Sequence, residues 1–460
     1  PTDPLPHRTY RGDKESNIGT RNRSSINDWS FARTTSLHQL VVPENMDVLM
    51  TQSAKTLLGE LDDCWNLDVL KLHEVTGGRP LFALFWTVMH KHRLLGHMKC
   101  SPGTFSNFIT RIEDGYLDNP YHNSTHGADV LNGCHHFVQQ LGFKEIITTW
   151  QTYSLFISAA IHDFEHPGVS NAFLINTKNP LAVLYNDTAV CESMHVARAF
   201  EVMQEPGGRC NILQGISEKM YRKVRQCIID TVMVTDLSKH IDFTARLRTI
   251  TATGKSEGAF ADQGLLLQIA IKCSDIGHCS KARPLHLKWT KLIVEEMFRQ
   301  GDKERERGDQ ISSFCDRTSA DTSKNQIGFF EFVILPWWRA LWQLDGRFGK
   351  ITHATEANHQ YWIEVRDAEN DPSGSGRSLN REKTRSKSVM TLTMGDSAES
   401  LRTSSDLKES GATRKTMKVA VKKSLAGNRI ARRASDSSAI LEEGRLKRSG
   451  SAISSMSVDV

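Results

Sequence analysis

The apolar run Leu155-Phe156-Ile157-Ser158-Ala159-Ala160-Ile161 feeds directly into His162-Asp163-Phe164-Glu165-His166-Pro167-Gly168. The run is long enough to be a buried helix, so the polar cluster emerges inside a protein interior. A His-Asp pair in that position is costly to desolvate unless something binds it. A divalent metal is the usual solution, because imidazole suits zinc and carboxylate suits zinc, magnesium or manganese. The plain alternative is a pair of hydrogen-bonded core histidines. On this stretch alone the two readings weigh equally, and the rest of the chain has to separate them.

Elsewhere apolar residues recur at helical spacing. The period begins near Met46, runs through Leu57, Leu58, Leu61, Trp65 and Val69, and is interrupted at Gly77-Gly78-Arg79-Pro80. It resumes at 81–90, 104–113, 126–140, 150–162, 189–204, 218–234, 265–274, 285–300 and 326–344. Alternating strand patterns are scarce and no internal repeat is present. The expected fold is all-α, one multi-helix domain over residues 46–365. Residues 1–45 are rich in Arg, Ser, Thr and Asn and read as a disordered arm. After Trp362 there is no Phe, Tyr or Trp, and residues 366–460 are dense in Ser, Thr, Lys, Arg and Gly. Such a segment cannot bury enough apolar surface to offset its ordering entropy, so a disordered tail is expected.

Composition excludes several functions. The formal net charge of +5 is small and falls partly in the tail, so nucleic acid is not an expected partner. No stretch approaches the apolar length of a membrane span. The nine cysteines are scattered, odd in number and without a Cys-x-x-Cys pair, so they read as reduced thiols. With no apolar signal core near residue 1, the expected location is cytoplasmic.

Polar residues that a plain helical core does not need come in a pattern. Asn119-Pro120 is a helix-start signal, after which His122, His126 and Asp129 fall at i, i+4, i+7 on one face. His162 and His166 repeat the i, i+4 spacing. Glu192, Asp236 and the run Ser274-Asp275-Ile276-Gly277-His278 lie at or near the ends of apolar helical segments, where several helices can converge on one pocket. The chemistry suits two metals. Two imidazoles and two carboxylates suit zinc, and a second ion held by one shared carboxylate and mostly water suits magnesium. Two ions about 3.5–4 Å apart can clamp both oxygens of an in-line phosphoryl displacement and acidify a bridging water. A separate protonated His can then protonate the leaving alkoxide.

Residues 55–365, about two-thirds of the chain, closely resemble the catalytic domain of the class I cyclic-nucleotide phosphodiesterases. The resemblance rests on Tyr-His-Asn-x-x-His-x-x-Asp at 121–129, His-Asp-x-x-His-x-Gly-x-x-Asn at 162–171 and Leu-Tyr-Asn-Asp-x-x-Val-x-Glu at 184–192. Gln-Gly-Asp-Lys-Glu-Arg-Glu-Arg-Gly at 300–308 and Gln-x-Gly-Phe at 326–329 complete the set. The phrase at 166–177 is most similar to the cAMP-specific branch. The resemblance implies hydrolysis of a 3',5'-cyclic nucleotide, cAMP preferred with some cGMP, to the 5'-monophosphate. It implies that His126, His162, Asp163 and Asp275 hold zinc. Asp163 would also bridge to magnesium or manganese, whose waters His166, Glu192 and Asp236 order. His122 would be the general acid. Gln326 would bond the purine edge between Phe329 and Ile293, with Tyr121 and His278 near the base.

Three positions depart from the family pattern: Gly127 replaces the usual Ala, Met194 replaces one of two adjacent histidines, and His278 stands where the cAMP-specific branch has Asn. The arm at 1–45 carries none of the GAF, PAS or calmodulin-binding modules seen elsewhere in the family. His162-Asp-Phe-Glu165-His166 also spells the inverted zinc-protease signature, but that reading leaves 121–129, Asp275 and Gln326 without a role. A nucleotide-binding protein without catalysis is a third reading, weakened because no ligand and no general acid is missing. In the tail, Arg432-Arg433-Ala434-Ser435 matches the pattern that a cAMP-dependent protein kinase prefers, which makes Ser435 a candidate phosphosite.

Overall fold

The structure is a computed structural model that describes residues 51–59, 61, 65–253 and 262–371. Among those residues every regular element is helical, as the apolar period predicts. The arm at 1–45 and Ser435 lie outside the described residues, as does the tail beyond Asp371.

The first periodic segment is two helices rather than one. The first is α1 (Gln52–Gly59) and the second is α2 (Val69–Val75), whose N-cap Asp68 accepts from the Lys71 amide. Helices α3 (Pro80–Lys91) and α4 (Pro102–Gly115) both begin at a proline, which costs nothing where the first amides have no partner. The centre of the domain is α5 (Ser124–Gln139) with α6 (Thr149–Ile161). Every residue of α6 from Gln151 to Ile161 is buried, as the unbroken apolar run requires. Then follow α7 (Val190–Met203), α8 (Glu218–Val232), α9 (His240–Ala252), α10 (Gln263–Asp275) and α11 (Arg283–Glu306). The last three are α12 (Thr322–Phe329), α13 (Leu335–Leu344) and α14 (Gly349–Glu369). Helix α14 carries the described structure past residue 365.

Helix α5 packs on α3, α6 and α10, so the N-terminal end of α5 meets the C-terminal ends of α6 and α10. That crossing brings His126, His162 and Asp275 together. Between α12 and α13 the chain makes a π-helical turn, Phe330–Ile334. Pro336 has no N–H to offer the Phe332 carbonyl, and a wider turn absorbs the missing bond.

Candidate active site

Helix α5 starts after Asn123, whose side chain accepts from the Thr125 and His126 amides at 2.9 and 3.2 Å. His122 therefore precedes the helix and does not share its face. Asp129 is turned away too: it pairs with Lys281 at 2.8 Å in a buried ion pair. Likewise α6 ends at Ile161, and Glu165 takes a left-handed φ of 61°. His162 and His166 thus lie on a turn and not on successive helical turns. The spacing-based picture of two helical faces is corrected in both places, because α5 begins after His122, Lys281 claims Asp129 within it, and α6 ends before His162.

What does converge is a tight set of donors. One donor atom from each of His126, His162, Asp163 and Asp275 lies within 4.8 Å of every other. His162 Nδ1 donates to the Ala159 carbonyl at 2.9 Å, which leaves the lone pair of the neutral ring on Nε2. That Nε2 is 3.3 Å from His126 Nε2, 3.0 Å from Asp163 Oδ2 and 3.5 Å from Asp275 Oδ1. Asp163 Oδ2 is buried without a hydrogen-bond partner. Burial resists charge on His162, yet the Asp163 and Asp275 carboxylates raise its pKa well above the ordinary imidazole value. Two ring nitrogens and two carboxylates crowded in a buried site fit one divalent cation.

His122 sits beside this cluster. Its Nδ1 donates to Glu296 Oε1 at 2.5 Å, and Glu296 Oε2 accepts the Tyr121 and His122 amides at 2.8 and 3.0 Å. Burial lowers the imidazole pKa, but Glu296, with Asp163, overrides it and sets His122 at about 9. Its side chain is 24% exposed, so the proton it holds can reach a ligand in the cleft. His166 stacks on the His122 ring with centroids 4.1 Å apart, and burial with the neighbouring His122 charge holds His166 well below its ordinary pKa.

The other expected residues gather less tightly. Glu192 accepts from Asn171 at 2.9 Å, and burial with the Asp236 and Asp163 charges raises its carboxyl to about 7. Asp236 caps a short turn through Ser238, and buried Lys272 donates to the Val234, Thr235 and Asp236 carbonyls. Tyr121 lies between the donor set and His278, with ring centroids 4.5 Å from His126 and 5.8 Å from His278. His278 is buried with Nδ1 unpartnered, and Gln326 is buried with Oε1 unpartnered. Ile293 on α11 and Phe329 at the end of α12 are half-buried against the core.

The family model for 3'5'-cyclic nucleotide phosphodiesterase matches residues 121–354. The chain belongs to that family. It is 35% identical over 328 residues to a 3',5'-cyclic-AMP phosphodiesterase, isoform F, of Drosophila melanogaster, covering 69% of this chain and 49% of that protein. It is 37% identical over 300 residues to 3',5'-cyclic-AMP phosphodiesterase 4C of Rattus norvegicus, covering 63% of this chain and 56% of that protein. The 4C protein of Mus musculus is also 37% identical over 300 residues, covering 63% of this chain and 43% of that protein. The chain spans about half the length of these curated relatives.

Two residues of this cluster escape a reading of the sequence. Glu296 is one buried carboxylate in a long, strongly charged helix. His195 packs under Asp163, its Nδ1 donating to the Phe164 carbonyl at 2.6 Å and its unpartnered Nε2 3.8 Å from Asp163 Oδ1. Its signal was its place three residues after Glu192, on the same helical face. The departure at Gly127 has a packing cause: a Cβ there would stand 2.9 Å from the Tyr116 hydroxyl. Glu165, the base that the inverted protease motif would need, instead faces Arg198 at 3.5 Å on the surface.

Proposed function

We propose that the protein hydrolyses 3',5'-cyclic nucleotides to 5'-monophosphates, cAMP preferred with some cGMP, and so terminates cyclic-nucleotide signals. The observation that carries the reading is His122, hydrogen-bonded to Glu296 at 2.5 Å, beside the four-donor set of His126, His162, Asp163 and Asp275. Those four residues would hold zinc. Asp163 would also face a magnesium or manganese ion whose water shell His166, Glu192 and Asp236 order, with His195 supporting Asp163 from below. When bound, the ions supply Lewis acidity, which acidifies a water and neutralises phosphoryl charge.

The protein's own contribution is proton handling and orientation. Water adds its oxygen to phosphorus, and the bond from phosphorus to the 3' oxygen breaks. His122 spends Nδ1–H on Glu296, so its remaining proton is on Nε2, and it passes that proton to the departing 3' oxygen. The proton that water gives up restores the imidazolium. Glu296 keeps the ring charged at neutral pH and fixes its direction through the Tyr121 and His122 amides. Replacing His122 with Ala should keep the metal content and lower turnover by roughly 10²–10⁴-fold. Loss of zinc in that variant would make His122 a ligand and not the acid.

On the purine side, the unpartnered Gln326 Oε1 would meet the base edge in the slot between Ile293 and Phe329. Adenine and guanine present opposite donor and acceptor patterns there, and an amide that turns over serves both. Burial and His286 hold His278 well below its ordinary pKa, so its neutral ring can donate from one nitrogen and accept at the other. This supports a minor cGMP activity. The names of the relatives support cAMP as the preferred substrate.

A cytoplasmic location belongs to the same proposal. Eight free cysteines among the described residues suit a reducing compartment. No helix among them is long and apolar enough to cross a membrane. Ser435 is proposed as a target of a cAMP-dependent protein kinase, on the Arg432-Arg433-Ala434 context alone. Phosphate incorporation by the purified kinase should vanish in Ser435→Ala, and unchanged labelling would reject that site.

A further inference from the structure

Glu296, Gln300 and Glu304 stand at i, i+4 and i+8 on α11, one polar stripe about 12 Å long on a single helix face. All three are buried. Glu296 carries the His122 segment, as described. Gln300 Oε1 accepts the Ser170 amide at 2.8 Å, and its Nε2 donates to Glu304 Oε1 at 2.9 Å. Glu304 in turn accepts the Ser312 amide and hydroxyl, each at 2.6 Å. Ser170 closes the turn that begins at His166. The other end of that turn is held by Asn119, whose amide donates to the His166 carbonyl at 2.7 Å. Gly168 has φ +67° and passes so close to Asn119 that a Cβ would fall 2.5 Å from its Oδ1. The turn therefore has little slack between its two anchors.

We infer that Gln300 is a positioning residue for His166, acting through the Ser170 amide, and that Glu304 sets the orientation of the Gln300 amide. This rests on the roles given above to His122 and His166. Both Glu304 oxygens accept from Ser312, so Glu304 meets Gln300 as an acceptor and requires its NH₂ end, and the Gln300 oxygen must then face Ser170. The reverse orientation sets oxygen against carboxylate and NH₂ against N–H. Through Ser312 the same chain of bonds ties the segment at 309–320 to the His166 turn. Gly301 lets that segment lie against α11: a Cβ there would stand 1.9 Å from the Cys315 carbonyl oxygen. Gln300, Gly301 and Glu304 all belong to the 300–308 motif, which the chemistry itself leaves without a role.

Glu304→Gln tests this in the full-length protein, because the new side chain has the same shape. The introduced amide can offer its own NH₂, which frees Gln300 to turn its oxygen away from Ser170. The turn should loosen, with kcat for cAMP lower by about tenfold, the scale of one hydrogen bond, and KM within about threefold. Metal content should not change. Hydrogen exchange of the peptide containing Ser170 should quicken, a readout independent of turnover. The same substitution made on His166→Ala should cost no further activity. Wild-type kcat and wild-type exchange in Glu304→Gln would overturn the inference, as would an equal fold-loss on the His166→Ala background. Absence of cAMP hydrolysis by the wild type would reject the functional reading, and exchange at Ser170 would still judge the hydrogen-bond relay.

Discussion

Glu296→Gln isolates what charge does for His122, the general acid of the proposed mechanism. Gln keeps the shape and one carbonyl oxygen for the Tyr121 and His122 amides, but removes the anion 2.5 Å from His122 Nδ1. Burial alone would lower the imidazole pKa from 6.5, and Glu296, with Asp163, raises it instead to about 9. Seen from the partner, burial would raise the Glu296 carboxyl, and His122 instead lowers it from 4.5 to about 2. Both displacements run in the direction of an ion pair, with Asp163 and Asp275 adding to the rise at His122 and His166 adding to the fall at Glu296. Near pH 7.5 an imidazole of pKa about 9 is about 97% protonated, against about 9% at 6.5. The variant should therefore lose about tenfold in kcat/KM near pH 7.5 and recover to within about twofold near pH 6. Its basic limb should move down from about 9 towards the ordinary imidazole value. The stability consequence follows the same sign. His122 has a raised pKa, so the pair stabilises the fold fully below the unfolded value of 6.5, and that gain fades as pH rises through about 9. Glu296 has a lowered pKa, so the gain is also lost as pH falls from 4.5 towards about 2. The assay is kcat/KM for cAMP and thermal melting of both proteins from about pH 5.5 to 10. A basic limb that stays near 9 in Glu296→Gln would refute the reasoning.

Other substitutions divide the site. Asp163→Asn should abolish cyclic-nucleotide hydrolysis and deplete bound metal, whereas Glu165→Gln, in a surface pair with Arg198, should change kcat/KM less than about twofold; the opposite ranking would break the two-metal scheme. His278→Asn should shift the ratio of kcat/KM values further towards cAMP by about tenfold, the worth of one hydrogen bond. A wild-type protein that prefers cGMP would reject that assignment and leave the metal chemistry standing.

Much of the fold was legible because apolar residues recurring at helical spacing fit little besides an amphipathic or buried helix. Two of the longer helices were not. Helix α14 buries Thr352, Thr355 and Asn358 where a core helix usually shows Leu or Ile, so its period is invisible to a hydrophobic count. Helix α9 is largely exposed and buries only His240, Phe243, Thr244 and Leu247. The break between α1 and α2 was hidden because Leu61, Trp65 and Leu67 are buried without being helical. In the site, the donor set was legible because His and Asp at the ends of apolar runs are costly to bury singly. Glu296 was not, because its partner His122 is 174 residues away and nothing local marks one glutamate in a charged helix. His122 and Asp129 misled the face argument for a local reason: Asn123 caps the helix after His122, and Lys281 claims Asp129.

In the proposed function the four converging donors hold the metal on which cAMP hydrolysis depends. Its most direct test measures metal content and cAMP turnover on one preparation of the full-length protein, before and after chelation and after readdition of zinc with magnesium. The expected result is stoichiometric zinc in the active protein, conversion of cAMP to 5'-AMP, loss of both zinc and turnover together on chelation, and recovery on readdition. Undiminished turnover in a protein stripped of divalent metal would contradict it.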